Sequence, residues 1–209
     1  MKRNIAALLL LLAALHWGCN QDANTQLVEG HIVDNKYFNE RFGMEVPIPD
    51  GWRVMTQLEE EYYRQEGRKA SEQEFGENRS NTWTNLLHLQ KGMSLNSMLI
   101  SYSIYKPELH GPNYQMSKET RFTGAQRILE NNPGIEIESV RTITDIGDSE
   151  FDTYNMMIKS GEAVKGYQIL LEHKYENDEV LLVSLTTDNR EALEELRVLL
   201  GAMKVDRRE

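Results

Sequence analysis

Hydrophobic and polar residues alternate, or recur at helical spacing, along most of the chain after residue 28. Alternation with a period of two is typical of strands, and apolar residues three and four positions apart are typical of helices. The predicted strands are His31–Asp34, Met44–Ile48, Trp52–Met55, Trp83–Gln90, Met98–Tyr105, Ile135–Thr142, Glu150–Ser160, Val164–Tyr175 and Glu179–Thr187. The predicted helices are Leu58–Phe75, Ser117–Asn131 and Asp188–Met203.

The last four predicted strands are joined by short links, which require antiparallel neighbours. Residues 180–183 read Val-Leu-Leu-Val, so this strand is apolar on both faces and is predicted to lie at the centre of the sheet. A sheet with two apolar faces needs helices on each side. The pattern therefore predicts an α/β (α+β) fold, with one antiparallel sheet covered by helices on both faces in an α/β/α sandwich.

Capping residues define the ends of the predicted helices. Ser117 is a plausible N-cap for the second helix, whose buried stripe would be formed by Phe122, Ala125, Ile128 and Leu129. Asp188 and Glu191 suit a capping box at the start of the third helix. Its buried stripe would be Leu193, Leu196, Leu199, Leu200 and Met203. The first helix is polar and interrupted by Gly67, so we expect it to be the least stable.

Residues 42–52, FGMEVPIPDGW, open the predicted domain. Pro47 and Pro49 each lack a backbone donor, which favours an edge strand or a strand end. Pro49-Asp50-Gly51 is turn chemistry, because proline presets φ and glycine accepts a positive φ. Trp52 follows this turn and is expected to be a core residue.

The same stretch resembles the opening of PsbP-like domains, with its aromatic-glycine entry, alternating strand and Pro-Asp-Gly-Trp end. Residues 37–39, Tyr-Phe-Asn, lie shortly upstream and strengthen the resemblance. The family includes the extrinsic PsbP subunit of photosystem II, Ran-binding Mog-type proteins and bacterial lipoproteins. The resemblance implies an α/β/α sandwich and a binding or accessory role, and it transfers no catalytic residue.

The first 19 residues are typical of an export signal. Lys2 and Arg3 precede an apolar run over residues 5–15, which is too short for a spanning helix of about 20 residues. Gly18-Cys19 directly after this run resembles a lipoprotein cleavage site, although His16 and Trp17 depart from the usual pattern. Lipidation of Cys19 is the favoured hypothesis. The two alternatives are an ordinary cleaved signal and an uncleaved anchor.

The remaining sequence is then a short tether over residues 20–28 and a single domain over residues 29–209. Cys19 is the only cysteine, so the domain has no intrachain disulfide. The formal net charge is −10 and falls to −12 if Lys2 and Arg3 are lost with the signal. This charge opposes binding to nucleic acid or anionic headgroups, so we expect membrane attachment through lipid.

No catalytic or cofactor motif occurs in the sequence. The four histidines beyond the signal are His31, His88, His110 and His173, and their spacing is not that of a local metal site. There is no nucleophile elbow, phosphate-binding loop or dinucleotide fingerprint. We therefore expect no cofactor and no metal. One alternative stays open: two carboxylates that are distant in sequence and brought together by folding could form a hydrolase site.

Three aromatic residues, Tyr62, Tyr63 and Trp83, border the polar first helix and form the candidate partner surface. Exposed aromatic side chains at such a place would indicate a protein interface, whereas burial against the sheet would make them core residues. The leading hypothesis is a non-enzymatic, lipid-anchored binding or accessory protein of the bacterial cell envelope, with an unidentified membrane-proximal protein as partner. The alternative is an envelope hydrolase that uses scattered carboxylates and a histidine.

Overall fold

The computed structural model describes residues 27–62, 65, 83–92, 95–131 and 133–206. The strands are β1 His31–Val33, β2 Lys36–Asn39, β3 Met44–Pro47, β4 Trp52–Val54, β5 Thr84–Lys91, β6 Ser97–Ile104, β7 Glu136–Ile146, β8 Ser149–Ser160, β9 Ala163–Lys174, β10 Glu179–Thr187 and β11 Lys204–Val205. The helices are α1, described over residues 57–62, α2 Pro107–His110, α3 Tyr114–Glu130 and α4 Arg190–Ala202, with a 3-10 turn at Glu40–Phe42. None of the helices in these ranges has the length and apolar content needed to cross a bilayer.

Seven strands form the large sheet in the order β4-β5-β6-β10-β9-β8-β7, and every neighbouring pair is antiparallel. The central position predicted for residues 180–185 is confirmed, because β10 is the fourth of the seven strands. A second sheet has the order β1-β2-β3-β11. The prediction of one sheet is therefore wrong, since strands of two to four residues carry too little alternation to be assigned to a sheet of their own.

The proline-rich stretch occupies the junction of the two sheets. β3 lies between β2 and β11 and ends at Pro47, so of the two predicted positions the strand end is confirmed and the sheet edge is wrong. Pro47 is tolerated because β11 pairs with Met44 and Glu45, ahead of the proline. The predicted turn is present, since the Trp52 N–H donates to the Pro49 carbonyl at 3.1 Å and Gly51 has φ +81°. It leads from β3 in the small sheet to β4 in the large one.

The main core lies between one face of the large sheet, the small sheet and α4. Trp52 is buried there, as expected. The apolar stripe predicted for the last helix is also confirmed. The core includes Phe42, Val46, Leu89, Ile100, Phe151, Leu171, Leu181, Val183, Leu196 and Val205.

A smaller apolar cluster joins α3 to β8 and β9. Phe122 stacks on Tyr154 with ring centroids 5.2 Å apart, beside Met156 and Leu170. Ala125 and Leu129 of the predicted stripe pack against this cluster. Along β8, Tyr154 and Met156 alternate with the residues that enter the main core, as the period of a strand requires.

Asparagines cap the two long helices, and both predicted caps are wrong. The Asn113 side chain accepts from the Gln115 N–H at 2.9 Å and begins α3 one turn before Ser117. The Asn189 side chain accepts from the Ala192 N–H at 2.8 Å, whereas the Asp188 carboxylate accepts from the Asn189 side chain. Asparagine and aspartate are equally good caps, so sequence alone does not separate such neighbours.

Candidate functional site

The first turns of α3 place a row of polar side chains over β8 and β9. Tyr114, Lys118 and Arg121 recur at helical spacing, so they share the face that looks onto the sheet. Asp152 of β8 and Glu172 of β9 are directly opposite each other in the strand register. We call the group the Glu172 cluster; its members are Tyr114, Ser117, Lys118, Arg121, Asp152 and Glu172.

Glu172 is the centre of this cluster, and its side chain has no solvent exposure. The Arg121 guanidinium donates to it through Nε at 2.9 Å and also through Nη2. The Tyr114 hydroxyl donates to Glu172 Oε1 at 2.7 Å, and the Ser117 hydroxyl accepts from Arg121 Nη1 at 2.6 Å. The buried carboxylate is therefore held by a forked, charge-assisted pair and a third donor.

Tyr114 is surrounded by cations yet remains a hydroxyl donor. Burial, and then the neighbouring Glu172 carboxylate, raise the pKa of Tyr114 far above its ordinary value. Lys118 Nζ and Lys174 Nζ each lie 5.7 Å from the ring centroid, and the Arg121 guanidinium lies 5.8 Å from it. Lys118 also pairs with Asp152, although the lysine itself is buried. The charges of this cluster are thus committed to one another.

Tyr62 and Trp83 of the predicted partner surface differ in their exposure to solvent. Tyr62 is 62% exposed on α1. Trp83 is half-buried just before β5, with the Arg121 guanidinium 5.8 Å from its ring. Tyr63 lies outside the described residues. Trp83 therefore borders the Glu172 cluster.

Helix α1 is fixed to the sheet edge by its acidic side chains. Thr56 and Glu59 form a capping box, with the Thr56 N–H donating to Glu59 at 2.9 Å and the Glu59 N–H donating back to Thr56 at 3.2 Å. Arg53 binds the same carboxylate through two nitrogens at 2.8 Å each. This guanidinium, together with the backbone donor, lowers the pKa of Glu59 to about 2.

On the side of α1 that faces solvent, two large apolar side chains are exposed. Glu60 accepts from the Asn85 side chain at 3.1 Å, which brings α1 close to the start of β5 and so to Trp83. Leu58 is 82% exposed, and it lies one turn from Tyr62 on the same side of the helix. We call Leu58, Tyr62 and Trp83 the α1–Trp83 surface.

The four histidines lie on separate elements and have separate roles. Burial, and then the positive charge of Arg53, lower the pKa of His88 to about 4. Burial also lowers the pKa of His110, whose Nδ1 accepts from the Lys106 N–H at 2.9 Å. His173 Nδ1 donates to the Glu150 carbonyl at 2.7 Å, and His31 stacks on Phe38. Among the described residues, no group of three or more histidine, cysteine or acidic side chains could hold a metal ion.

Sequence reasoning missed the Glu172 cluster. Arg121 and Glu172, the central ion pair of the cluster, are 51 residues apart in sequence, so no local motif links them. One signal is present, because Glu172 follows Ile169-Leu170-Leu171 in a strand whose neighbours are apolar. A carboxylate within such a run indicates a buried charge that requires a partner.

Comparisons with known proteins give the fold. No protein family and no curated protein matches the chain. The chain is similar to the solution structure of cyanobacterial PsbP (CyanoP) from Synechocystis sp. PCC 6803, with a TM-score of 0.51 and 12% identity over 82% of this chain and 91% of that one. A crystal structure from Bacteroides thetaiotaomicron has a TM-score of 0.39 and 8% identity, over 78% of this chain and 45% of that one. The predicted PsbP-like fold is confirmed.

Proposed function

We propose that this protein is a non-enzymatic binding or accessory protein, anchored to a bacterial membrane through lipidated Cys19. The α1–Trp83 surface is its recognition surface, and its partner is a protein with a basic face close to that membrane. The observation that carries this proposal is the exposure of Leu58 and Tyr62, two large apolar side chains one turn apart on an acidic helix.

Exposed apolar side chains with a charged border are typical of protein interfaces. Residues 59–61 are three consecutive glutamates beside Tyr62. Such a border favours a partner with lysine or arginine around an apolar centre, because complementary charges steer the encounter. The same charges oppose direct contact with anionic lipid, so a protein partner is favoured over the bilayer surface.

The polar chemistry near this surface supports binding rather than catalysis. A general acid or base works best with a pKa near the operating pH. The pKa of His88 is about 4 and that of Tyr114 is raised far above neutrality, so neither group titrates close to pH 7. Glu172 is fully enclosed by Arg121 and Tyr114, which leaves it no room to contact a substrate. This arrangement favours the accessory role over the hydrolase alternative.

The layering of the domain fits the same proposal. We place α3 and α4 on opposite faces of the large sheet, as the sandwich prediction requires. The alternation of Tyr154 and Met156, which contact α3, with Phe151 of the main core supports this placement. Both long helices then serve the core, and α1 is left to carry recognition.

Changing Tyr62 and its sequence neighbour Tyr63 tests the recognition surface. We expect Tyr62→Ala with Tyr63→Ala to reduce crosslinked capture of the partner from native membranes, with thermal stability nearly unchanged. The loss follows from removing the apolar centre of the surface, and an exposed position alters the free energy of unfolding by only about 0.5 kcal/mol. Raised salt should also weaken capture of the wild-type protein, because surface charge pairs are screened.

A matched control is Val198→Ala on α4, since Val198 is 73% exposed and remote in sequence from α1. Photocrosslinkers placed at positions 62 and 198 give the same contrast without removing a side chain. If both positions capture the same proteins, or if capture ignores salt and the tyrosine substitutions, the proposed surface is wrong.

The anchor is tested separately. We expect Cys19→Ala to abolish lipid labelling and to leave the signal unprocessed, because the lipidated cysteine would become the new N-terminus. Metabolic labelling with a fatty-acid probe and the intact mass of the purified protein measure both effects. A wild-type protein that carries no lipid by mass spectrometry would contradict the anchor and leave the recognition surface untouched.

A further inference from the structure

The outer strand β7 is a long open edge of the large sheet. It has 11 residues and, within the part of the chain that the structure describes, pairs only with β8, whereas the opposite edge strand β4 has 3 residues. Proteins usually protect open edges with short strands, prolines or bulges. β7 contains no proline, and its register with β8 is unbroken from end to end.

Two β-branched side chains on β7 are exposed on opposite faces of the sheet. Val140 is 61% exposed and Ile143 is 63% exposed. Single exposed apolar residues are ordinary on a surface. Here both lie in one seven-residue segment, 140–146, whose two charges cancel. A short β-prone segment without net charge is the kind that pairs with another strand.

Within one copy, Asp145 of this segment lies beside a like charge. Asp145 lies directly opposite Glu150 in the β7–β8 register, and like charges in that position are destabilising. Among the described residues Asp145 makes no ion pair. Arg141 lies four residues away on the same face; it binds Glu119 of α3, with its guanidinium 5.3 Å from the Tyr154 ring.

The backbone groups that point outward follow from the turn at the end of β7. Gly147 and Asp148 form a two-residue turn, with Gly147 at φ +58° as a type II′ turn requires. Ile146 and Ser149, which flank the turn, are then a hydrogen-bonded pair. Since such pairs alternate with open ones in an antiparallel ladder, residues 141, 143 and 145 turn their N–H and C=O groups away from β8.

We propose that two copies of this protein associate through β7, antiparallel and about a two-fold axis at Ile143. In this register Ile143 lies opposite Ile143 of the second copy, and Thr142 lies opposite Thr144. Arg141 of each copy lies opposite Asp145 of the other, which gives two ion pairs. Val140 lies opposite Ile146 of the second copy, whose side chain is buried in its own core. The pairing continues the ladder through the outward-pointing backbone groups and joins two large sheets into one.

The charges select this register over its neighbours. A two-fold axis at Arg141 would put two guanidinium groups opposite each other, and an axis at Val140 would leave Asp145 without a cation. The Ile143 register also covers the exposed Ile143 of each copy with the same side chain of the other copy. The Arg141 fork has donors enough for Glu119 and Asp145 together, because a guanidinium carries five N–H groups.

Charge exchange tests the register in the full-length protein. Arg141→Asp places two aspartates opposite each other at each end of the interface, and Asp145→Arg places two arginines there. We expect each variant to self-associate at least about tenfold more weakly than wild type, since attractive cross-strand pairs become repulsive ones. An equimolar mixture of the two variants restores both ion pairs in a heterodimer, so its association should return to within about threefold of wild type. Sedimentation in detergent measures both quantities, and thermal melting confirms that each variant is folded.

Disulfide trapping in the native membrane gives a second readout. Cα atoms in a hydrogen-bonded antiparallel pair are about 5.5 Å apart, within the range that a disulfide spans. Ile143→Cys should therefore form covalent dimers on mild oxidation. Val198→Cys should not, and wild type supplies the background from its only cysteine, Cys19.

Several results would overturn the proposal. Wild-type protein that stays monomeric at the highest soluble concentration would do so, as would folded charge variants that associate as wild type does. A mixture no tighter than its components would contradict the register. Covalent capture of a different protein at position 143, without homodimer, would assign the edge to a different chain.

Discussion

Replacing Arg121 by methionine should lower the free energy of unfolding by about 3–5 kcal/mol, the usual effect of removing one partner from a buried ion pair. The reason is the Glu172 side chain, which has no solvent exposure and receives two of its three donated hydrogen bonds from Arg121. Methionine keeps much of the apolar stem, so the change isolates the lost charge. Chemical denaturation of wild type and variant, followed by circular dichroism, measures the difference.

Two further variants make this result specific. Arg197 of α4 pairs with Glu194 at 2.9 Å, but both side chains are more than half exposed. Arg197→Met should therefore change the free energy of unfolding by at most about 1 kcal/mol. Adding Glu172→Gln to Arg121→Met removes the stranded charge and keeps an acceptor for Tyr114, so the double variant should be more stable than Arg121→Met alone. Equal destabilisation by the two arginine substitutions would mean that Glu172 does not depend on Arg121.

The long strands could be predicted because their burial is regular. The sequence pattern predicts β10 over its full length, since residues 180–183 are apolar on both faces and such a pattern is typical of a central strand. The spacing of its leucines predicts helix α4, and all of these leucines are buried. In both elements the local hydrophobic pattern agrees with the burial found in the folded protein. Each element can therefore be predicted from its own residues.

The small sheet could not be predicted for the opposite reason. β11 has two residues and pairs with β3, which lies about 160 residues earlier in the chain. Lys204 and Val205 follow directly after α4, and at that place their charge pattern is also that of a helix end. The pairing of Lys204 and Val205 with Glu45 and Met44 distinguishes the two outcomes, and that pairing is a property of the folded chain.

The same limit applies to the candidate site. Tyr62, Tyr63 and Trp83 are candidates because exposed aromatic residues beside a polar helix would indicate a protein interface, and this reasoning needs no contact information. Arg121 and Glu172 come together only when α3 lies across β9, and Asp145 meets its neighbour Glu150 only in the β7–β8 register. Both pairings depend on contacts of the folded chain, so the pattern of hydrophobic and polar residues does not predict them.

The largest apolar effect should come from Leu196, whose side chain is completely buried where α4 meets the large sheet and β3. Leu196→Ala should lower the free energy of unfolding by about 2–5 kcal/mol, because it removes buried methyl groups and leaves a cavity in a packed core. Val198 lies two residues away on the exposed side of the same helix, and Val198→Ala should stay within about 0.5 kcal/mol of wild type. Denaturant titration of the two variants gives both values under one set of conditions. A Leu196 variant as stable as the Val198 variant would mean that α4 presents a different face to the core, and the contact between the small sheet and the large one would then lose its main apolar support.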